Sequence, residues 1–189
     1  MNVEEKLDKP RYRFQENDMV YSWNTIKVGW EIKALIFDDI TEFAIHFLEL
    51  HPNLVNQYIS ELMFKPREYE IDGLLKNIFD TLSLESPEQD SPAWNKEWRK
   101  WRYCLLMELI RVVENKDELL VRVEGLYADF GYPVDMVSFI YYMPSDDNHE
   151  PDLSLEDAHI RIINKLKLFL REEKLRINQG CDTLPDKIY

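Results

Sequence analysis

SPAWNKEWRKWRYCLLMELIRV, residues 91–112, carries the longest helical pattern in the chain and sets its fold class. Ser91 and Pro92 are residue types preferred at the N-cap and at the first position of an α-helix, so they predict that a helix begins here. Apolar residues then recur at a spacing of three and four, which places them on one helical face. This stripe consists of Trp94, Trp98, Trp101, Leu105, Leu109 and Val112. The stretch therefore predicts a long helix with one face in a core.

The same spacing recurs on both sides of this helix, and no stretch shows the period-two alternation of a β-strand. Short connections favour antiparallel neighbours. We therefore predict an all-α protein: a single compact domain of about eight helices, with antiparallel helical hairpins packed as a bundle or a short array. The N-caps that we expect are Ser22, Asp38, Asn53, Ser91 and Ser154. The helices are predicted near residues 22–30, 38–50, 53–62, 71–82, 91–112, 119–130, 133–143 and 154–170.

Three segments lack a helical period. Residues 1–18 are polar and predict a loosely ordered N-terminal arm within the single domain formed by residues 1–189. Residues 84–93, LESPEQDSPA, contain two prolines and several acids, which is typical of an exposed connector. Residues 178–189 form a polar tail.

The charge of the chain limits the kinds of partner it can bind. Lys and Arg number 23 and Asp and Glu number 36, so the net charge is −13. This balance argues against binding to duplex DNA or to an anionic membrane, because both require a basic surface. An acidic protein is suited instead to a basic partner, and we expect that partner to be a protein.

The cysteines and the N-terminal sequence indicate the compartment. The chain has two cysteines, Cys104 in an apolar run and Cys181 in the polar tail, which is not a disulfide framework. The first residues are acidic where a signal peptide would be basic, and no segment is long and apolar enough to span a bilayer. We therefore expect a cytoplasmic protein.

Motifs that would indicate catalysis are missing from the sequence. It contains neither a Gly-x-Ser-x-Gly elbow nor a glycine-rich phosphate loop. Asp129-Phe130-Gly131 matches the magnesium triplet of kinases, but the other kinase motifs are lacking, and Gly131 is better explained as the residue that ends a helix. We expect no catalytic residue, no cofactor and no metal site.

A metal-dependent enzyme remains an alternative. Helical di-iron proteins place Glu-x-x-His pairs and further carboxylates inside a bundle. Glu156 and His159 have that spacing, whereas His46 precedes Glu49 in the reverse order and shares a polar face with Glu42. Solvated charges on helix surfaces explain these residues more simply.

Binding of single-stranded nucleic acid is the second alternative. Four basic residues lie among the three tryptophans of the long helix: Lys96, Arg99, Lys100 and Arg102. In proteins that bind single strands, aromatic rings stack on the bases and basic residues neutralise the phosphates. The tryptophans nevertheless share the face that continues into Leu105. This pattern favours tryptophans in the core and basic residues on the other face, paired with the surplus acids.

The segment after Gly131 is rich in aromatic residues and methionine, which are enriched where proteins bind one another. Its three tyrosines cannot all face inward from one short helix, so we predict some exposed aromatic surface. An acidic loop follows directly. The predicted partner-binding residues are Tyr132, Tyr141, Tyr142, Asp146, Asp147, Glu150 and Asp152.

Three runs of sequence together resemble a family of small bacterial proteins classed as a domain of unknown function. They are YSWNTIKVGW at 21–30, WRYCLLMELI at 101–110 and YADFGYPVDMVSFIYYMP at 127–144, the last being the most specific. The resemblance spans from about Val20 to about Phe169 and implies no activity, cofactor or catalytic residue. Small acidic bacterial proteins of this type often serve as immunity proteins, which neutralise a toxin by binding it, so a basic toxin domain is a candidate partner.

Overall fold

The computed structural model describes residues 9–64, 66–141, 143 and 154–180. These residues contain eight α-helices and no strand, which confirms the all-α prediction. Three 3-10 turns, Pro52–Leu54, Glu68–Glu70 and Val134–Phe139, lie between them. The helices are α1 (Pro10–Glu16), α2 (Trp23–Glu31), α3 (Phe37–Leu50), α4 (Gln57–Met63), α5 (Ile71–Thr81), α6 (Pro92–Val112), α7 (Lys116–Asp129) and α8 (Leu155–Asn178).

The chain divides into two compact units, and the division lies within α6, between Trp98 and Arg99. In unit 1, α4 packs against both α3 and α5, the two neighbouring helices along the chain. The residues that the three helices bury are apolar side chains at helical spacing, as the sequence pattern predicts. They include Ile40, Ala44, Ile59, Leu62, Ile71, Leu75, Ile78 and Phe79.

The N-terminal arm predicted over residues 1–18 is not loosely ordered where the structure describes it. Pro10 begins α1, and Phe14 on that helix is fully buried. The ring of Phe14 lies 5.1 Å from that of Tyr21, measured between centroids. The sequence did not reveal this helix because one buried aromatic residue in a short polar stretch makes no periodic pattern. Residues 1–8 lie outside the described part of the chain.

Two of the predicted N-caps are wrong. Helix α3 begins at Phe37 rather than after Asp38, and the N–H of Ile36 donates to Oδ2 of Asp39 at 2.9 Å. Helix α4 begins after Asn56, whose Oδ1 accepts from the N–H of Ile59 at 3.0 Å. The predicted cap, Asn53, instead belongs to the 3-10 turn that follows α3. A proline-initiated turn therefore delays the start of α4 by several residues.

Substituting the observed cap of α4 tests this correction. Asn56→Ala removes the acceptor of the Ile59 N–H, so we expect it to lower the free energy of unfolding by about 1 kcal/mol. Asn53→Ala is the matched control, and we expect it to change stability by less than about 0.5 kcal/mol because Asn53 is an exposed turn residue. Urea denaturation of both variants measures the difference. Equal losses, or a larger loss for Asn53→Ala, would contradict this assignment of the cap.

The predicted start of the long helix is confirmed. The hydroxyl of Ser91 accepts from the N–H of Trp94 at 3.2 Å, and α6 begins at Pro92. Residues 82–91 before it contain no helix, and most of them are exposed. Lys27 of α2 ties this connector to the rest of unit 1 by donating to the carbonyl of Pro87 at 2.8 Å.

In unit 2, helix α8 packs against both α7 and the 3-10 turn Val134–Phe139. The predicted capping of α8 is confirmed, since the hydroxyl of Ser154 accepts from the N–H of Asp157 at 3.1 Å. Helix α8 continues through Asn178, the first residue of the predicted tail. Residues 181–189 lie outside the residues that the structure describes. The short helix predicted from Pro133 is instead the 3-10 turn, whose tighter winding is usual in a short connection.

Candidate functional site

A buried carboxylate on α8 joins two arginines of α6 within unit 2. Glu173 has no exposed surface. Its Oε2 lies 2.7 Å from Nη1 of Arg99, and its Oε1 lies 2.6 Å from Nη2 of Arg102. A buried carboxylate needs such charged donors, because burial without them costs several kcal/mol. We call Arg99, Arg102, Glu173 and Asp135 the buried ion network.

Asp135 brings the 3-10 turn Val134–Phe139 into this network. Its two carboxylate oxygens accept from Nη1 and Nη2 of Arg102 at 2.8 and 2.9 Å, a two-pronged contact with fixed geometry. The guanidinium of Arg102 also lies 5.0 Å from the centre of the Phe169 ring. Arg102 therefore holds the turn against α6 and α8, which makes the network a structural support for the segment that follows the turn.

Tyr141 lies just beyond that turn and is 49% exposed. Its ring packs against the imidazole of His159 of α8, with the ring centroids 5.4 Å apart and the planes at 73°. Nδ1 of His159 in turn lies 2.8 Å from Oδ1 of Asp117 at the start of α7, and most of the Asp117 side chain is exposed. We call Tyr141, His159 and Asp117 the Tyr141 surface. It presents an aromatic ring and a carboxylate that both contact the same imidazole.

Tyr132 is 37% exposed and occupies an unusual backbone conformation. Its φ is 58°, directly after Gly131 at φ 75°, so two consecutive residues are left-handed. Gly131 therefore ends α7 in the way that the sequence indicates, whereas a left-handed tyrosine is uncommon. The N–H of Tyr132 donates to the carbonyl of Tyr127 at 2.9 Å, and its ring meets that of Tyr127 edge-on at 5.2 Å. These contacts hold a partly exposed ring in place.

The other predicted partner-binding residues are not described by the structure. Tyr142, Asp146, Asp147, Glu150 and Asp152 lie outside the described residues. His159 and Asp117 were not among the predicted partner-binding residues. The local sequence pattern does not identify them as neighbours of Tyr141. Asp117 and His159, for example, are 42 residues apart in the sequence.

Apart from His46 and Glu49, the residues of the metal hypothesis pair with residues outside that set. Glu42 pairs with Lys9, a hydrogen bond that raises the pKa of Lys9 above its usual value. Nδ1 of His46 lies 3.3 Å from Oε2 of Glu49 on the same helix. Glu156 pairs with Lys116, while His159 contacts Asp117. Within the part of the chain that the structure describes, no three His, Cys, Asp or Glu side chains form a group suited to hold a metal ion.

His46 instead borders an aromatic pocket of unit 1, with a volume of about 270 Å³. The rings of Trp23 and Phe43 meet edge-on at 4.8 Å, and Phe47 lies 5.3 Å from Trp23. Stacked and edge-on rings of this kind are typical of a hydrophobic core. The surroundings of His46 are therefore mainly aromatic.

We call residues 94–104 of α6, with their four basic side chains and three tryptophans, the basic island. Its tryptophans are buried, as the core interpretation predicts. Trp94, Trp98 and Trp101 are all less than 7% exposed. The basic residues do pair with acids, but Arg99 and Arg102 do so inside the protein, and Lys100 is buried as well. No ring of this island is available for stacking on a base, so the geometry gives the single-strand hypothesis no support. Cys104 on the same helix is also buried.

These contacts define the class of the molecule: it is an all-α protein whose second unit is organised around buried ion pairs. The chain belongs to a family described as an uncharacterized protein conserved in bacteria (DUF2247), whose model matches residues 12–174. This match confirms the resemblance found in the sequence. No curated protein and no solved structure matches the chain. In the described residues, none of the helices has the length and apolar character needed to cross a membrane.

Proposed function

We propose that the protein is a non-enzymatic protein-binding module of the cytoplasm that docks a basic partner through the Tyr141 surface and the acidic segment that follows it. The narrower form of the proposal is an immunity-type role, in which the partner is a basic toxin domain neutralised by binding. The observation that carries the proposal is the exposed ring of Tyr141, which packs on His159, the residue whose Nδ1 also contacts the carboxylate of Asp117.

The support beneath Tyr141 makes it suited to docking. A binding residue contributes most when its side chain is already ordered, because less conformational entropy is lost on association. Tyrosine is also among the residues enriched at the centres of interfaces. The buried ion network orders the turn before Tyr141, and His159 orders the ring itself.

The charge of the chain supports a basic partner. The net charge is −13, and residues 146, 147, 150 and 152 add four acids within a short stretch after Tyr141. Opposite charges accelerate association and make it sensitive to salt. The placement in the cytoplasm rests on the two cysteines, one of which is buried as a thiol.

Affinity capture from the native lysate tests the proposal. We would capture partners with the tagged wild-type chain, with Tyr141→Ser and with the double variant Asp146→Lys/Asp147→Lys, and wash at low and at high salt. We expect a basic protein that is retained at low salt and released at high salt, and whose recovery falls at least about tenfold with either variant.

The control is Asp80→Lys/Glu88→Lys, which makes the same change in net charge at two exposed residues of unit 1. We expect it to retain most of the captured partner. Capture of the same basic protein by all variants alike would place the binding site elsewhere. Capture of no basic protein at low salt would contradict the proposed function itself.

A further inference from the structure

Unit 2 has a groove of about 550 Å³ that shares no residue with the Tyr141 surface. It is formed by the second half of α6 and the C-terminal half of α8. The floor is apolar and consists of Tyr103, Met107, Ile110 and Leu170. Leu175 at its edge is 59% exposed. The volume is within the range of binding sites in proteins, and an exposed leucine on an apolar groove is typical of a docking surface.

The rim of this groove is basic in a protein that is otherwise strongly acidic. Lys167, Arg171 and Lys174 of α8 line it, and none of the lining residues that the structure describes is an acid. Lys167 and Arg171 are exposed. The groove is thus a local positive region in a chain of net charge −13, which indicates that the ligand is negatively charged.

The spacing of the three cations indicates the shape of that ligand. Positions 167, 171 and 174 follow one another at intervals of about 6 and 4.5 Å along the helix axis. The cations are therefore distributed along the groove, whereas an amphiphile with a single head group requires its positive charge at one end. A partner helix that carries acids at four- and three-residue intervals has the same rise, so its carboxylates can match the row.

We propose that this groove binds an amphipathic helix of another protein, with apolar residues against the floor and acidic residues against the basic rim. The groove runs for about 16 Å between Lys167 and Asn178, which corresponds to about three turns of a docked helix. A single-stranded nucleic acid is a poorer match. Among the lining residues that the structure describes, the only aromatic ring is that of Tyr103, which is 5% exposed and cannot stack on a base.

Fluorescence anisotropy with a synthetic peptide tests this inference independently of the proposed function, which concerns a basic partner at other residues. The probe is a labelled helical peptide of about 16 residues, with leucines at three- and four-residue spacing and glutamates along one flank. We expect saturable binding that weakens at least about tenfold in Lys167→Glu/Arg171→Glu and in Leu175→Ser. Lys76→Glu/Lys96→Glu, which changes two exposed lysines of unit 1, is the charge-matched control and should bind like the wild type.

A peptide with lysines in place of the glutamates should bind at least about tenfold more weakly, although the net charge of the protein alone would attract it. Equal binding of the two peptides, or unchanged affinity in Lys167→Glu/Arg171→Glu, would overturn the proposal. Displacement of the probe by oleate or by an oligothymidine at lower concentration than unlabelled peptide would assign the groove to those ligands instead. A dimer in sedimentation that Leu175→Ser dissociates would assign it to a second copy of the chain.

Discussion

Glu173→Leu lowers the free energy of unfolding by about 3–5 kcal/mol in our expectation, because it removes the carboxylate shared by two buried arginines. Glu173 and Arg102 have fully buried side chains, and Arg99 is nearly so. Loss of the carboxylate removes both oxygens that accept from Nη1 of the buried Arg99. Leucine fills a similar volume, so the loss reports on charge more than on packing. Urea denaturation followed by circular dichroism measures the change.

The neighbouring glutamate provides a matched control. Glu172 precedes Glu173 on α8 and pairs with Arg176 at 3.2 Å, but the two side chains are 51% and 40% exposed. Exposed pairs contribute at most about 1 kcal/mol, so Glu172→Ala should be nearly neutral. If Glu173→Leu costs no more than Glu172→Ala, the buried ion network does not stabilise unit 2.

A double variant tests whether the expected loss comes from the buried charge that remains. Arg99→Met/Glu173→Met removes both members of one pair, and Arg102 retains the two-pronged contact with Asp135. We expect this variant to be more stable than Glu173→Leu, since replacement of a buried pair by apolar residues is often neutral. If the double variant loses more stability than its two single variants lose together, the charges are not the cause of the loss in Glu173→Leu.

Local sequence patterns predicted the helices, because an amphipathic helix places apolar residues at intervals of three and four. The caps at Ser91 and Ser154 were correct for this reason. The stripe of α6 was correct for its three tryptophans but not for Val112, which is 50% exposed. Where a pattern had few positions the prediction failed: α1 buries Phe14 from a short polar stretch, and a 3-10 turn moved the cap of α4 from Asn53 to Asn56. In both cases the local sequence allows more than one structure, and a single sequence does not show which of them forms.

The candidate site could be predicted only in part, because its contacts join distant residues. The sequence placed Tyr141 on an exposed surface, but not the contact of its ring with His159 or of His159 with Asp117. Likewise, pairing of the basic residues of α6 with acids followed from charge balance, whereas their burial did not. Arg102 and Glu173 are 71 residues apart, and no periodicity connects them.

Trp101→Ala is the second substitution for which we expect a large effect, a loss of about 3–5 kcal/mol in the free energy of unfolding. Trp101 has no exposed surface, and alanine would leave a cavity the size of an indole ring. The same residue belongs to the basic island that could have bound single-stranded nucleic acid. A core residue and a stacking residue respond differently, so the variant distinguishes the two roles.

Lys96→Ala on the same helix is the control, and as an exposed residue it should change stability by less than about 0.5 kcal/mol. Thermal unfolding of both variants, together with filter binding of an oligothymidine to the wild type and to Trp101→Ala, completes the test. A stacking role requires that Trp101→Ala keep full stability and lose oligonucleotide binding. A large loss of stability together with no retention of the oligonucleotide by the wild type is the result that we expect. The buried tryptophans then account for the aromatic half of the island, and the ion pairs of Arg99 and Arg102 account for much of its basic half.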